Sequence, residues 1–154
     1  MHFPRYEKIW LAIGGGALAV FLIVLGIYGF GMGFNTPHDT QTVDAQTISQ
    51  NPNFQPGVKQ TGPNRYEVTI VARTFSFAPA VIQVPAGAEV TFRMTSADVV
   101  HGFEIPQTNV NVMVVPGQVT TITHTFEKPG NYLILCNEYC GTGHQLMQAQ
   151  LQVQ

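Results

Sequence analysis

The chain has 154 residues, enough for one modest domain with an appendage. Only 10% of its residues are charged, and the formal net charge is −2 at pH 7. That balance excludes the basic patch that nucleic acids and anionic lipid surfaces demand, and it implies no strongly charged docking face.

The appendage comes first. From Ile9 to Phe34 no residue is charged, and the run is rich in Leu, Ile, Val, Ala, Phe and Gly. About 20 apolar residues span a bilayer. Residues 1–34 are therefore read as a short cytoplasmic start followed by a transmembrane anchor. A cleaved secretory signal would have an apolar core of roughly 7–15 residues closed by a small-residue cleavage site; here the core is longer and no clear site follows. Arg5 and Lys8 precede the run, diluted by Glu7, while Asp39 and Asp44 follow it. The positive-inside tendency puts the N-terminus in the cytoplasm and everything after Phe34 outside. Trp10 and Tyr28 stand near the two ends, as interfacial aromatics do. Seven glycines in the run, Gly14, Gly15, Gly16, Gly29 and Gly33 among them, would let another membrane helix approach closely.

Residues 35–64 are rich in Gln, Thr, Asn and Pro and poor in large apolar groups. They are expected to form an extended connector rather than a core element. His2 and His38, on either side of the membrane segment, read as solvated or interfacial.

Residues 65–154 change to short strands with turn signals between them. Tyr66–Ala72 alternates in part, and Val81–Val84 leads into a Pro85-Ala-Gly87 turn. Glu89–Thr95 alternates apolar and polar with period two, the mark of a half-buried strand. Pro116-Gly117 turns into Gln118–Phe126, and Lys128-Pro-Gly130 turns into Asn131–Cys136. Met147–Val153 is the last strand. His124, between threonines on one of these strands, reads as surface. No helical period of useful length appears after residue 65, and there is no internal repeat. Many short strands with Gly/Pro turns mean a β-sandwich or barrel.

The chemistry is concentrated near the end. Both cysteines lie in Cys136-Asn-Glu138-Tyr-Cys140-Gly-Thr-Gly-His144-Gln-Leu-Met147, four apart, with a histidine four further on and a methionine three after that. Thiolate, imidazole and thioether are the donors of a soft, redox-active metal, copper above all. One such cysteine suggests a mononuclear blue-copper site; two that face one point suggest two coppers bridged by thiolates. His101, in Asp98-Val-Val-His101-Gly-Phe103, supplies a second histidine from an earlier strand region. Cys136 and Cys140 would bridge, His101 and His144 would each bind one copper, Met147 would be a weak ligand to one, and the backbone carbonyl of Glu138 would be its counterpart on the other. Zinc is the main rival, since two Cys and two His also suit it, but Met147 would then have no role. A Cys136–Cys140 disulfide is the other reading of the pair in an oxidising compartment.

This loop, with the upstream His101 segment, resembles subunit II of cytochrome c oxidase and its dinuclear CuA centre. The resemblance covers nearly the whole chain. It implies an all-β, cupredoxin-like Greek-key sandwich preceded by one transmembrane helix, with the domain at 65–154. It further implies two copper ions, an oxidase subunit I bearing haem, and a cytochrome c donor. The subunit would accept electrons and pass them to that haem, where dioxygen is reduced to water. A single helix is similar to the shorter B-type, ba-type oxidases of prokaryotic cell membranes, with the copper domain on the outer side. The family's surface tryptophan for electron uptake is missing, because the only tryptophan is Trp10. Phe75 and Phe77 are the candidates to replace it. In many relatives the side chain at the position of Glu138 helps bind Mg²⁺ at the boundary with subunit I. The alternatives are a membrane-anchored copper carrier, which would need exchangeable and exposed ligands, and a non-oxidase copper electron-transfer protein.

Overall fold

The computed structural model describes residues 4–31 and 41–154. His2, Gly33, Phe34, His38, Asp39 and the start of the connector lie outside the described residues. The chain divides into two units, residues 1–36 and 37–154.

The first unit is a helix, α1 (Arg5–Gly26), which continues through a π-helical turn, Ile27–Gly31. Leu, Ala, Ile and Val carry it with no proline inside. At 1.5 Å per residue its 27 residues extend about 40 Å, enough to cross the hydrocarbon of a bilayer. None of its side chains is buried, so the apolar surface is left for lipid or for other helices.

The second unit is a two-sheet sandwich. Its strands are β1 (Gly57–Gly62), β2 (Arg65–Arg73), β3 (Ser76–Ala78), β4 (Val81–Val84), β5 (Ala88–Ser96), β6 (His101–Glu104), β7 (Asn111–Val114), β8 (Thr120–Phe126), β9 (Gly130–Leu135) and β10 (Gln148–Val153). One sheet runs β1-β2-β5-β8 with β3 paired to β2; the other runs β4-β10-β9-β6-β7. The pairs β2/β5 and β4/β10 are parallel, and the remainder are antiparallel. The expected all-β sandwich behind one apolar helix is what forms.

Period-two patterning builds the core. Val68, Ile70 and Ala72 of β2, Val90, Phe92 and Met94 of β5, and Ala149, Leu151 and Val153 of β10 all turn inward. Phe103 of β6 sits among them, its ring 5.5 Å from Phe77 and 5.4 Å from Phe92.

Three expectations need correction. The described part of the connector belongs to the fold. Residues 57–62 form β1, and Ile48 and Phe54 are buried in a second cluster with Val71 and Val119. Val71 lies on the outer face of β2, and these two large apolar groups of a polar stretch cover it. Arg93 seals the cluster over the Phe54 ring, 4.8 Å from its centroid. Next, His124 is half-buried rather than a surface residue. It is in phase with Ile122 and Phe126 on the inner side of β8, its ring 4.6 Å from that of Phe126, and Nδ1 hydrogen-bonds to Asn109 Oδ1. Finally, Phe77 is only 3% exposed and is therefore core. It occupies the inward position of β3, so it offers no surface for electron uptake.

Candidate metal centre

Two neighbouring strands and one loop assemble the site. β6 begins at His101, and β9 ends one residue before Cys136. The strands are antiparallel neighbours, with Glu104 opposite Leu135, so His101 and the start of the loop meet at the same end of the sheet. The loop is tied at its base, where the Cys136 N–H donates to the Met147 carbonyl at 3.2 Å, in line with the β9/β10 ladder. Short turns shape the rest: His144 N–H reaches the Gly141 carbonyl at 3.1 Å, and Met147 N–H reaches the His144 carbonyl at 3.1 Å.

Six donor atoms converge. Cys136 Sγ lies 3.8 Å from Cys140 Sγ, 3.9 Å from His101 Nδ1 and 3.3 Å from the Glu138 carbonyl oxygen. Cys140 Sγ lies 3.6 Å from His144 Nδ1 and 3.7 Å from Met147 Sδ. A disulfide needs its sulfurs about 2.05 Å apart; both cysteines are free thiols here. Each sulfur has its own imidazole and its own weak donor. The donor atoms of His101, Cys136 and Cys140 lie within 4.8 Å of one another. This set suits a soft, redox-active metal such as copper, and the thioether of Met147, 2% exposed, gives it a character that a zinc site does not require. Burial pushes the Cys140 thiol up to about 11, reinforced by the hydrogen bond and charge of Cys136. A bound metal must therefore displace a proton from it.

His101 is fully buried and held from behind. Its Nε2–H donates to Asp98 Oδ1 at 2.8 Å, which leaves Nδ1 as the acceptor that faces the sulfurs. Asp98 is itself anchored by the Val99 N–H at 2.7 Å, the Thr74 N–H at 2.7 Å and the Thr74 hydroxyl at 2.9 Å. Burial raises the Asp98 carboxyl, but the hydrogen bonds from Thr74, His101 and Val99 outweigh it and hold it well below the usual carboxylate range. Sequence reasoning gave no role to Asp98 or Thr74. The three-residue spacing from Asp98 to His101 was the available signal; nothing local marked Thr74.

Phe75 is 37% exposed and rests on the ligand loop. A Cβ on Gly143 would come within 2.6 Å of its ring, and one on Gly141 within 3.0 Å, so glycine at both positions lets the ring lie flat on the loop between Cys140 and His144. Tyr139 and Leu146 on the same loop are also exposed, with the Tyr139 ring 5.9 Å from that of His144. His124 lies on β8, in the other sheet from His101 and the ligand loop, and takes no part in the site.

Known proteins resemble this chain over most of its length. A family model described as cytochrome c oxidase subunit II, periplasmic domain, matches residues 71–153. A cytochrome c oxidase subunit 2 of Thermus thermophilus is 46% identical over 147 residues, covering 92% of this chain and 88% of the relative. A second Thermus thermophilus subunit 2 is 50% identical over 110 residues, covering 70% of this chain and 82% of the relative. Among solved structures, a chain of a heme-copper terminal oxidase dimer determined by cryo-EM superposes with a TM-score of 0.82 at 36% identity, covering 97% of this chain and 100% of that one.

Proposed function

The chain belongs to the cytochrome c oxidase subunit II family, and from that premise we propose that His101, Cys136, the Glu138 carbonyl, Cys140, His144 and Met147 hold two copper ions and take electrons from a cytochrome c. The protein is the electron-accepting, membrane-anchored subunit of a haem-copper oxidase, with copper as its metal. The single observation that supports two ions over one is the sulfur pair, 3.8 Å apart, with a separate imidazole on each side. Two coppers held by Cys136 and Cys140 with His101 and His144 would supply one-electron transfer there.

The chain's own residues prepare that exchange. β9 and β10 fix both ends of the loop, so the sulfurs and Met147 hold their places with or without a change of charge. Asp98 keeps His101 in the tautomer that presents Nδ1. The burial of His101, Cys136, Cys140 and Met147 excludes water from most of the donor set. It also argues against an exchangeable copper carrier, which needs exposed ligands. Phe75 is the surface group through which electrons reach the centre, supported by its seat on Gly141 and Gly143. On the ligand loop Tyr139 and Leu146 are 72% and 74% exposed and uncharged, apolar groups available for a donor contact.

The anchor holds its N-terminus in the cytoplasm of a prokaryotic cell and the sandwich on the outer side, supported by Arg5 and Lys8 ahead of the apolar run. The haem-bearing subunit I is the acceptor. Glu138 is exposed on the loop, and its carboxylate is the acidic group there able to join a Mg²⁺ shared with subunit I. Metal analysis of the complex decides that assignment.

The test is copper analysis and electron paramagnetic resonance of the full-length chain. Two coppers per chain, with the unpaired electron coupled to both nuclei, is the expected result. One copper, or zinc alone, overturns the assignment. Phe75→Ala should keep both coppers and slow electron uptake; unchanged uptake removes Phe75 from the path.

A further inference from the structure

Gly102 follows a copper ligand and is buried although it points to the outer face of its sheet. What covers it is the ligand loop. The β6/β9 register pairs Glu104 with Leu135, and carried forward it sets residue 137 opposite residue 102. A Cβ on Gly102 would overlap Asn137 Oδ1 and stand 2.9 Å from the Asn137 backbone nitrogen and 2.8 Å from that of Glu138. Asn137 therefore lies flat across β6, in the space a side chain at 102 would take. On the far side its Nδ2–H donates to Asn111 Oδ1 at 3.0 Å, on β7. β7 is paired to β6 with Glu104 opposite Asn111.

We propose that Asn137 is a positioning residue for the metal centre, a strap across Gly102 that ties the ligand loop to the β6–β7 hairpin. The hairpin carries His101. The strap begins between Cys136, whose sulfur faces His101, and Glu138, whose carbonyl lies 3.3 Å from that sulfur. It thus sets the separation of the two segments that supply one half of the donor set. Asn137 touches none of the donor atoms; it acts through the backbone of residues 136–138. The other half of the set, Cys140, His144 and Met147, lies within one loop and needs no such tie. The proposal rests on the metal reading above, and its test is arranged so that the two can fail separately.

The experiment uses the full-length chain with Asn137→Ala, Asn111→Ala, Asn111→Asp and Gly102→Ala. In the metal-free protein, amide exchange at Cys136, whose N–H donates to the Met147 carbonyl at 3.2 Å at the base of the strap, should quicken by about twofold to tenfold in Asn137→Ala and Asn111→Ala, the range that one net hydrogen bond supports. In the copper-loaded protein, those two variants should lose metal to a chelator about tenfold faster, at the low end of what outer-shell partners contribute to affinity, and the reduction potential of Asn137→Ala should shift. Asn111→Asp keeps the acceptor and should match the parent in exchange and chelator release. Gly102→Ala should resemble Asn137→Ala or be worse, since its methyl also meets backbone. If Gly102→Ala does not fold, the Asn111 pair still decides. Exchange, chelator release and potential equal to the parent in both Asn137→Ala and Asn111→Ala overturn the strap. A parent chain that fails to take up copper overturns the metal reading alone, because the exchange arm needs no metal.

Discussion

Asp98→Ala removes the acceptor behind His101, proposed above as a metal ligand, without touching any donor atom of the candidate site. His101 is fully buried, so its Nε2–H, now 2.8 Å from Asp98 Oδ1, would lose its carboxylate, with only water entering by the space of the part-exposed Asp98 side chain to replace it. A buried donor left without a partner costs about 1–3 kcal/mol. The N–H groups of Thr74 and Val99, which also donate to Asp98, lie near the surface and can rebond to water. The loss is therefore set by His101, and about 2 kcal/mol is expected for the metal-free protein. Asp98→Asn separates geometry from charge. Oδ1 accepts from His101 and Val99, while Oδ2 accepts from the Thr74 N–H and hydroxyl. An amide nitrogen in either place meets an N–H, so Asn restores only part of the loss and should cost about 1 kcal/mol. Denaturant unfolding of the sandwich in the metal-free, full-length chain measures both. Competition with a chelator measures the consequence for metal, expected as a weakening of about tenfold to a hundredfold for Asp98→Ala. Stability within about 0.3 kcal/mol of the parent together with unchanged copper affinity would refute the role of the buried N–H.

Phe103→Ala should cost about 3–5 kcal/mol in the same unfolding measurement, because its fully buried ring fills the space between Phe77 and Phe92 two residues from His101. A loss below about 1.5 kcal/mol would mean the core closes around the gap. Burial lowers the pKa of His124 from its ordinary value of 6.5, so the fold favours the neutral ring. Its contribution to stability is present above that value and is lost as pH falls through the lower folded one; His124→Gln should flatten the decline in stability between about pH 7 and pH 5, and an unchanged slope contradicts the assignment. Donor docking through Phe75 and the exposed Tyr139 and Leu146 of the ligand loop should respond only weakly to salt; a steep loss of turnover between low and moderate ionic strength would show that charge steers the encounter.

Much of the site was legible because most of it is local. Four of the six candidate donors sit on side chains between residues 136 and 147, and a fifth is the carbonyl of Glu138 in the same loop, so residue type and spacing alone point to a soft-metal site. The apolar run at the start and the alternation in β2 and β5 likewise write themselves into composition and period. Other features depend on which strands become neighbours. The β6/β9 pairing brings His101 to Cys136 and lays Asn137 over Gly102. The fold of residues 73–75 against the loop gives Asp98 its Thr74 donors and puts Phe75 on Gly143, while the next aromatic, Phe77, turns into the core. Ile48 and Phe54 found a place because Val71 presents an apolar outer face to cover. His124 was misread because threonines on both sides hide its phase with Ile122 and Phe126. Side-chain chemistry is a property of the residue and survives in the sequence; mutual distance between segments far apart in the chain is created only when the sheets pair and pack.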